Sequence, residues 1–142
     1  MPIVATLPRA RSRRPFRLLL VDDDASFLEI VSILVADHLP GVLLQTARSG
    51  VEALRQMAAQ APQLLMADVV MPHMDGLEML RHLATQPHRP PVVVLTSVLD
   101  ADDMQSYGEM PADALFMPKP LDQDAFVRLV RAASSAAAGA AD

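Results

Sequence analysis

The sequence predicts one α/β domain in which five parallel strands form a doubly wound sheet covered on both faces by five helices. Three observations predict it. Short apolar runs alternate five times with helix-length amphipathic stretches. The runs are apolar at consecutive positions, as strands buried on both faces of a parallel sheet require. The 142 residues fit a single core. Crossovers between parallel strands are right-handed, and ligands in open α/β sheets sit beyond the carboxyl ends of the strands, so functional residues are expected just after each strand.

In chain order, residues 1–16 carry Pro2, Pro8 and Pro15 among Arg9, Arg11, Arg13 and Arg14, without a sustained hydrophobic period, and read as a flexible Arg/Pro-rich arm. The domain is expected over 17–133. Its first strand is Leu18–Val21, followed by a helix whose stripe is Phe27, Ile30, Val31 and Leu34. The second strand is Val42–Thr46. Ser49 and Glu52 then form a capping box before a helix carrying Val51, Leu54 and the Ala58 region. The third strand, Leu64–Ala67, leads through an Asp75-Gly76 turn and cap to a helix with Leu77, Leu80 and Leu83. Val92–Thr96 is the fourth strand. Residues 101–109 give a weaker, polar fourth helix bearing Tyr107, which suits a partner face and a half-buried helix equally. Leu115–Met117 is the fifth strand, and Phe126, Leu129 and Val130 mark a fifth helix behind Asp122. Residues 134–142 form an Ala-rich tail, read as a frayed helix end or linker with no output domain.

Composition narrows the function. Apolar residues make up 51% and aromatics 4%, so Leu, Val, Met and Ala must fill the core. The absence of cysteine excludes disulfides, thiolate metal sites and a Cys nucleophile. Arg9, Arg11, Arg13, Arg14 and Arg17 precede the first acid, Asp22. From residue 18 onward seven basic residues face seventeen acidic ones, a net −10, which argues against nucleic acid as a partner of the body. Leu18–Val21 is too short for a signal core or membrane span, so a cytoplasmic protein without membrane contact is expected. An Arg-rich start also fits an organelle transit peptide, against which Leu18–Val21 read as a structural strand. His38, His73, His82 and His88 show no ligand spacing and read as surface or loop residues; the methionines read as core filler.

The residues that follow the strands carry the chemistry. They are Asp22, Asp23 and Asp24 after the first, Asp68 after the third, Thr96 and Ser97 after the fourth, and Lys119 after the fifth. All fall on one rim of the predicted sheet. Clustered carboxylates repel one another unless a cation joins them, and an oxygen-only set suits a hard ion such as Mg²⁺. A carboxylate so held can take a phosphoryl group in line, with a metal and an ammonium neutralising the equatorial oxygens and a hydroxyl bonding the product. Lys119 is the sole lysine of the chain, so no other can replace it. Neither a Walker-type loop nor a GxGxxG is present.

Leu19-Leu-Val-Asp-Asp-Asp24, Asp68-Val-Val-Met-Pro-His-Met-Asp-Gly76, Leu95-Thr96-Ser97 and Lys119-Pro120 resemble the receiver domain of two-component response regulators, over about residues 17–133. The resemblance implies a flavodoxin-like sheet of order 2-1-3-4-5, as in chemotaxis regulators. It assigns Asp68 as phosphoacceptor and Asp22, Asp23, Asp68 and the Val70 backbone carbonyl as Mg²⁺ ligands. Thr96 becomes the switch hydroxyl, Lys119 the phosphate-binding cation and Phe116 the aromatic that moves with Thr96. It also implies a cis Lys119–Pro120 peptide, which aims the ammonium into the site. The implied partners are a histidine kinase or histidine phosphotransfer protein upstream. Downstream, a protein or a second copy docks on the face of the fourth helix, fifth strand and fifth helix. Such a domain is a signalling switch, not an enzyme with a turned-over substrate.

Four departures from the family pattern stand out. Val70 and Val98 replace polar residues that often place the hydrolytic water, which predicts a long-lived phosphorylated form. His73 replaces a loop glycine. Pro111-Ala-Asp-Ala is one residue out of step with the usual Gly-Ala-Asp, which touches the Phe116 assignment. Rival readings remain: a phosphate-independent docking module on the same fold, nucleic-acid binding by the arginine arm, and a haloacid-dehalogenase-type phosphatase with Asp22 as nucleophile and Asp24 as acid/base. The last leaves the Asp68–Gly76 segment unexplained.

Overall fold

In the computed structural model, which describes residues 14–87 and 89–140, the elements follow the sequence β1 (Phe16–Val21), α1 (Ala25–His38), β2 (Val42–Ala47), α2 (Gly50–Ala59), β3 (Leu64–Asp68), α3 (Gly76–Leu83), β4 (Val92–Ser97), α4 (Ala101–Met104), β5 (Leu115–Pro118) and α5 (Gln123–Ala140). All strand pairs are parallel, in the order β2-β1-β3-β4-β5. Each helix opens on a side-chain cap at the carboxyl edge of the sheet: Asp24, Ser49, Asp75, Asp100 and Asp122 accept from the backbone N–H of Ser26, Glu52, Glu78, Asp103 and Ala125. Each such cap is worth about 1 kcal/mol, and together they fix where every helix leaves the rim. The predicted box at α2 closes one residue early, since Glu52 Oε2 accepts from the Arg48 N–H rather than from that of Ser49.

Strand side chains alternate between two apolar layers. Leu19, Val21, Leu65, Ala67, Val93 and Leu95 pack with α2 and α3, while Leu18, Leu20, Leu64, Met66 and Val94 pack with α1 and α5 around the fully buried Phe126. The expectation of strands buried on both faces holds for β1, β3 and β4. The sheet edges differ: β2 alternates in burial and β5 is half open, because each lacks a neighbour on one side.

The helices correct several expectations. In α1 the buried stripe is Leu28, Val31, Leu34 and Val35, leaving Ile30 50% and Ile33 54% exposed. Seven of nine residues from Phe27 to Val35 are apolar, so periodicity alone does not set the phase; the Asp24 cap does. In α2 the inner face is Gly50, Ala53 and Met57, with Val51 and Ala58 outward. Small residues let this helix approach closely, and a Cβ on Gly50 would stand 2.8 Å from Met74 Sδ. The fourth helix is one turn, followed by a 3-10 turn Gln105–Tyr107 that ends at Gly108 with φ 122°. Helix α5 continues through Ser134 and Ser135 to Ala140, with Ala133 and Ala137 packed on the core, so the tail from 134 onward extends a helix. Residues 1–13 of the arm, His88 and residues 141–142 lie outside the described residues. Among the described residues, no helix is long and apolar enough to cross a membrane.

Candidate functional site

Register assembles the site. Val21 pairs with Ala67, Asp68 with Thr96, and Thr96 with Met117, so Asp22, Asp68 and Thr96 stand at one level of the sheet and Lys119 just beyond it. Asp22 and Asp68 are buried, Asp23 is exposed, and one carboxylate oxygen from each of the three lies within 4.8 Å of the others. Lys119 reaches back across β4. Its Nζ donates to Asp22 Oδ2 at 2.6 Å and to Asp68 Oδ2 at 3.1 Å, and lies 4.3 Å from the centre of the Phe27 ring.

Backbone donors fix the other carboxylate oxygens. The Asp24 N–H donates to Asp22 Oδ1 at 2.9 Å, and the Val70 N–H to Asp68 Oδ1 at 3.2 Å. Behind Asp68 the chain folds back so tightly that a Cβ on Gly76 would meet the Asp68 carbonyl oxygen at 2.4 Å. Only glycine fits there. His73, at the apex of the same loop, takes φ 71°, a left-handed conformation that costs a non-glycine residue about 1 kcal/mol. The peptide bond between Lys119 and Pro120 is cis.

The electrostatics follow from this crowding. Burial, and then the charge of Asp22, raise the pKa of Asp68 above its ordinary value, against the lowering effects of Lys119 and the Val70 N–H. For Lys119, burial favours the neutral form, but the hydrogen bond to Asp22 and the charges of Asp68 and Asp22 outweigh it and raise the pKa. Three carboxylates against one ammonium leave a net −2. An all-oxygen set of this kind fits a small hard divalent cation. Thr96 is fully buried, and its Oγ1 has no hydrogen-bond partner among the described residues.

The sequence-predicted residues therefore divide. Asp22, Asp23, Asp68, Thr96 and Lys119 are brought together, with Val70 at their edge. Phe116 is not among them. It packs against the core layer that holds Met104, and with Met104 it lines a groove of about 1040 Å³ between α4 and β5. Asp24, the acid/base of the phosphatase reading, is turned onto the first turn of α1 as its cap. His38, His73 and His82 are all exposed, and Met57, Met66, Met71, Met79 and Met104 are core residues. Two neighbours of the site were not read from the sequence. Phe27 passed as a helix-stripe residue, and Arg48, whose Nη2 donates to the Asp23 carbonyl at 3.2 Å, carries no motif at all.

Residues 18–131 match the family described as the response regulator receiver domain. The chain is similar to the DNA-binding transcriptional regulator NtrC of Escherichia coli (strain K12), 33% identical over 117 residues that make up 82% of this chain and 24% of that protein. It is also similar to the response regulator MprA of Mycobacterium ulcerans (strain Agy99), 34% identical over 116 residues, 82% of this chain and 49% of the relative. The chain thus spans a quarter to a half of these relatives. Among solved structures, the signal receiver domain of a signal transduction histidine kinase from Syntrophus aciditrophicus superposes with a TM-score of 0.72 at 30% identity, covering 84% of this chain and 90% of that one. The chemotaxis response regulator CheY4 of Vibrio cholerae shares the fold, with a TM-score of 0.71 at 22% identity over 82% of this chain and 97% of its own.

Proposed function

The chain belongs to the response regulator receiver domain family, and from that premise we propose that it accepts a phosphoryl group on Asp68 from the phosphohistidine of a kinase or phosphotransfer protein, and thereby changes the partner it binds. The observation that carries the reading is the single ammonium of Lys119 shared between Asp22 and Asp68. Lys119 favours the ionised form of Asp68, against the opposing effect of burial, and aims a cation at the place where phosphoryl oxygens arrive. An Asp68 carboxylate oxygen attacks phosphorus, the P–N bond of the donor breaks, and the imidazole leaves with a proton. Asp22, Asp23 and Asp68, with the Val70 carbonyl that the family resemblance adds, would hold Mg²⁺, which when bound would offset the charge on the phosphoryl oxygens.

Lys119 then exchanges one carboxylate partner for a phosphoryl oxygen. The Thr96 hydroxyl, buried and without a partner, gains one. Moving Thr96 opens space on the β4–β5 side, where Phe116 shifts with it and biases the face of α4, β5 and α5 between two states. We place the readout on that face, either with a downstream protein or with a second copy of the chain. The expected setting is the cytoplasm.

Intact-mass spectrometry after incubation with acetyl phosphate, with and without Mg²⁺, tests the reading on wild type and Asp68→Asn. One Mg²⁺-dependent, hydroxylamine-labile phosphoryl group is expected on wild type alone. A folded wild type that takes no adduct under any condition would instead mark a phosphate-independent docking module.

A further inference from the structure

The Lys119 ammonium carries three N–H donors. Two are spent on Asp22 Oδ2 at 2.6 Å and Asp68 Oδ2 at 3.1 Å, and among the described residues no third acceptor meets it. Its remaining close neighbour is the Phe27 ring, whose centre lies 4.3 Å from Nζ. That is well inside the roughly 6 Å over which the negative face of an aromatic ring attracts a cation. The Lys119 side chain is 12% exposed, so little water stands between the two to weaken the attraction.

The ring and one of the carboxylates belong to the same turn. The Asp24 N–H donates to Asp22 Oδ1 at 2.9 Å, and Asp24 Oδ1 accepts from the Ser26 N–H at 2.9 Å and the Phe27 N–H at 3.4 Å. The residue that caps α1 thus holds Asp22 and Phe27 in fixed relation, while the core layer around Phe126 backs the ring. Any apolar side chain could cover that layer, but only an aromatic one offers a negative face to an ammonium. The face attracts a cation across its breadth, whereas a hydrogen bond to a carboxylate is directional. An ammonium on the ring can therefore slide from one oxygen to another without taking up water. We infer that Phe27 is a positioning residue for transfer to Asp68: its ring keeps the Lys119 ammonium in the site while the ammonium exchanges Asp22 for a phosphoryl oxygen. The role rests on the proposed phosphotransfer, and the contact beneath it is measured separately, without a phosphodonor.

Lys119 is the sole lysine, so full-length protein grown on lysine carrying ¹³C at the ε carbon gives a single ε-methylene signal. Before metal or phosphodonor is added, the ring current should move its protons upfield in wild type and in Phe27→Tyr, and leave them at their ordinary position in Phe27→Leu. With acetyl phosphate at saturating Mg²⁺, the maximal labelling rate by intact mass should fall about tenfold in Phe27→Leu and be kept in Phe27→Tyr. Mg²⁺ affinity, measured by calorimetry, should be unchanged in both. Phe27→pentafluorophenylalanine retains the ring and its packing but strips the negative charge from the face, and should label as slowly as Phe27→Leu. Wild-type rates in Phe27→Leu overturn the inference. So does a fluorinated variant that labels at the full rate, which would assign Phe27 to packing alone. A wild type that labels but shows no upfield shift sinks the inference and spares the phosphotransfer reading, whereas one that shows the shift but takes no phosphoryl group sinks that reading and the positioning role with it.

Discussion

Replacing Lys119 with Met keeps the length of the side chain and removes the one cation that, among the described residues, pairs with Asp22 and Asp68. The side chains of Asp22 and Lys119 are 1% and 12% exposed, so solvent screens this pair poorly. Removing one partner of a buried pair costs about 3 kcal/mol, because the remaining charge stays desolvated. Site charge goes from −2 to −3. With a urea dependence of about 2 kcal/mol per molar, the unfolding midpoint should fall by about 1.5 M at about pH 8 in chelator, with the slope unchanged. Two conditions should narrow the gap. A saturating divalent cation binds the folded mutant and recovers about 3 kcal/mol at a hundredfold excess over its Kd. Acid acts through Asp68. Its pKa is raised on folding, so the folded chain holds that proton more tightly than the unfolded one, and stability rises as pH falls through the folded value towards 3.8. Without Lys119 the raise is larger, so the deficit at about pH 5 should be smaller than at about pH 8. Circular dichroism follows the transition. Coincident midpoints for Lys119→Met and wild type at about pH 8 in chelator would refute the reasoning.

Three further outcomes are expected. Thr96→Val removes a buried hydroxyl without a partner and keeps the shape of the side chain. The unphosphorylated protein should gain about 1 kcal/mol in urea unfolding, while the chemical-shift changes on the α4–β5 face after phosphorylation are lost; a destabilised variant would show that the hydroxyl is bonded after all. Gly76→Ala forces a Cβ onto the Asp68 carbonyl and should cost about 1–3 kcal/mol together with slower labelling by acetyl phosphate, whereas wild-type behaviour on both counts would mean that the loop relaxes freely. Val70 follows the acceptor and Val98 follows β4, Val98 being 74% exposed, and neither side chain can hold or orient an attacking water. The acyl phosphate should persist for minutes or longer, and decay within seconds, followed by intact mass, would sink that expectation.

The site was legible where the chemistry and the topology point to the same place. Asp22, Asp68 and Lys119 follow three different strands, and a parallel sheet leaves them no other place to meet than its carboxyl rim. The caps at Ser49, Asp75 and Asp122 were legible for a related reason, since Asp or Ser before an apolar period has one favourable use. What escaped was phase and length. Phe27 to Val35 is apolar nearly all round, so only the Asp24 cap decides that Ile30 and Ile33 face solvent. In α2 the inward positions belong to Gly50 and Ala53, whose value is their small size, which a hydrophobic stripe does not register. Arg48 meets Asp23 through a backbone carbonyl, an acceptor that every residue carries and no motif records.

The same charge balance explains why a switch belongs at this rim. Unphosphorylated, Lys119 is engaged by Asp22 and Asp68, and Asp22 Oδ1 and Asp68 Oδ1 are met by backbone N–H groups, so both buried carboxylates have partners. A phosphoryl group on Asp68 adds about two negative charges and three acceptor oxygens at the most crowded point. Lys119 can follow only by loosening its hold on Asp22, and the side-chain donor at this level without a prior commitment is the Thr96 hydroxyl. Thr96 pairs with Met117, next to Phe116, so on the proposed function satisfying the new oxygens would alter packing under the groove between α4 and β5. On the proposed function, chemistry at one edge of the sheet would thereby be read on the face that carries the single-turn helix and the open groove.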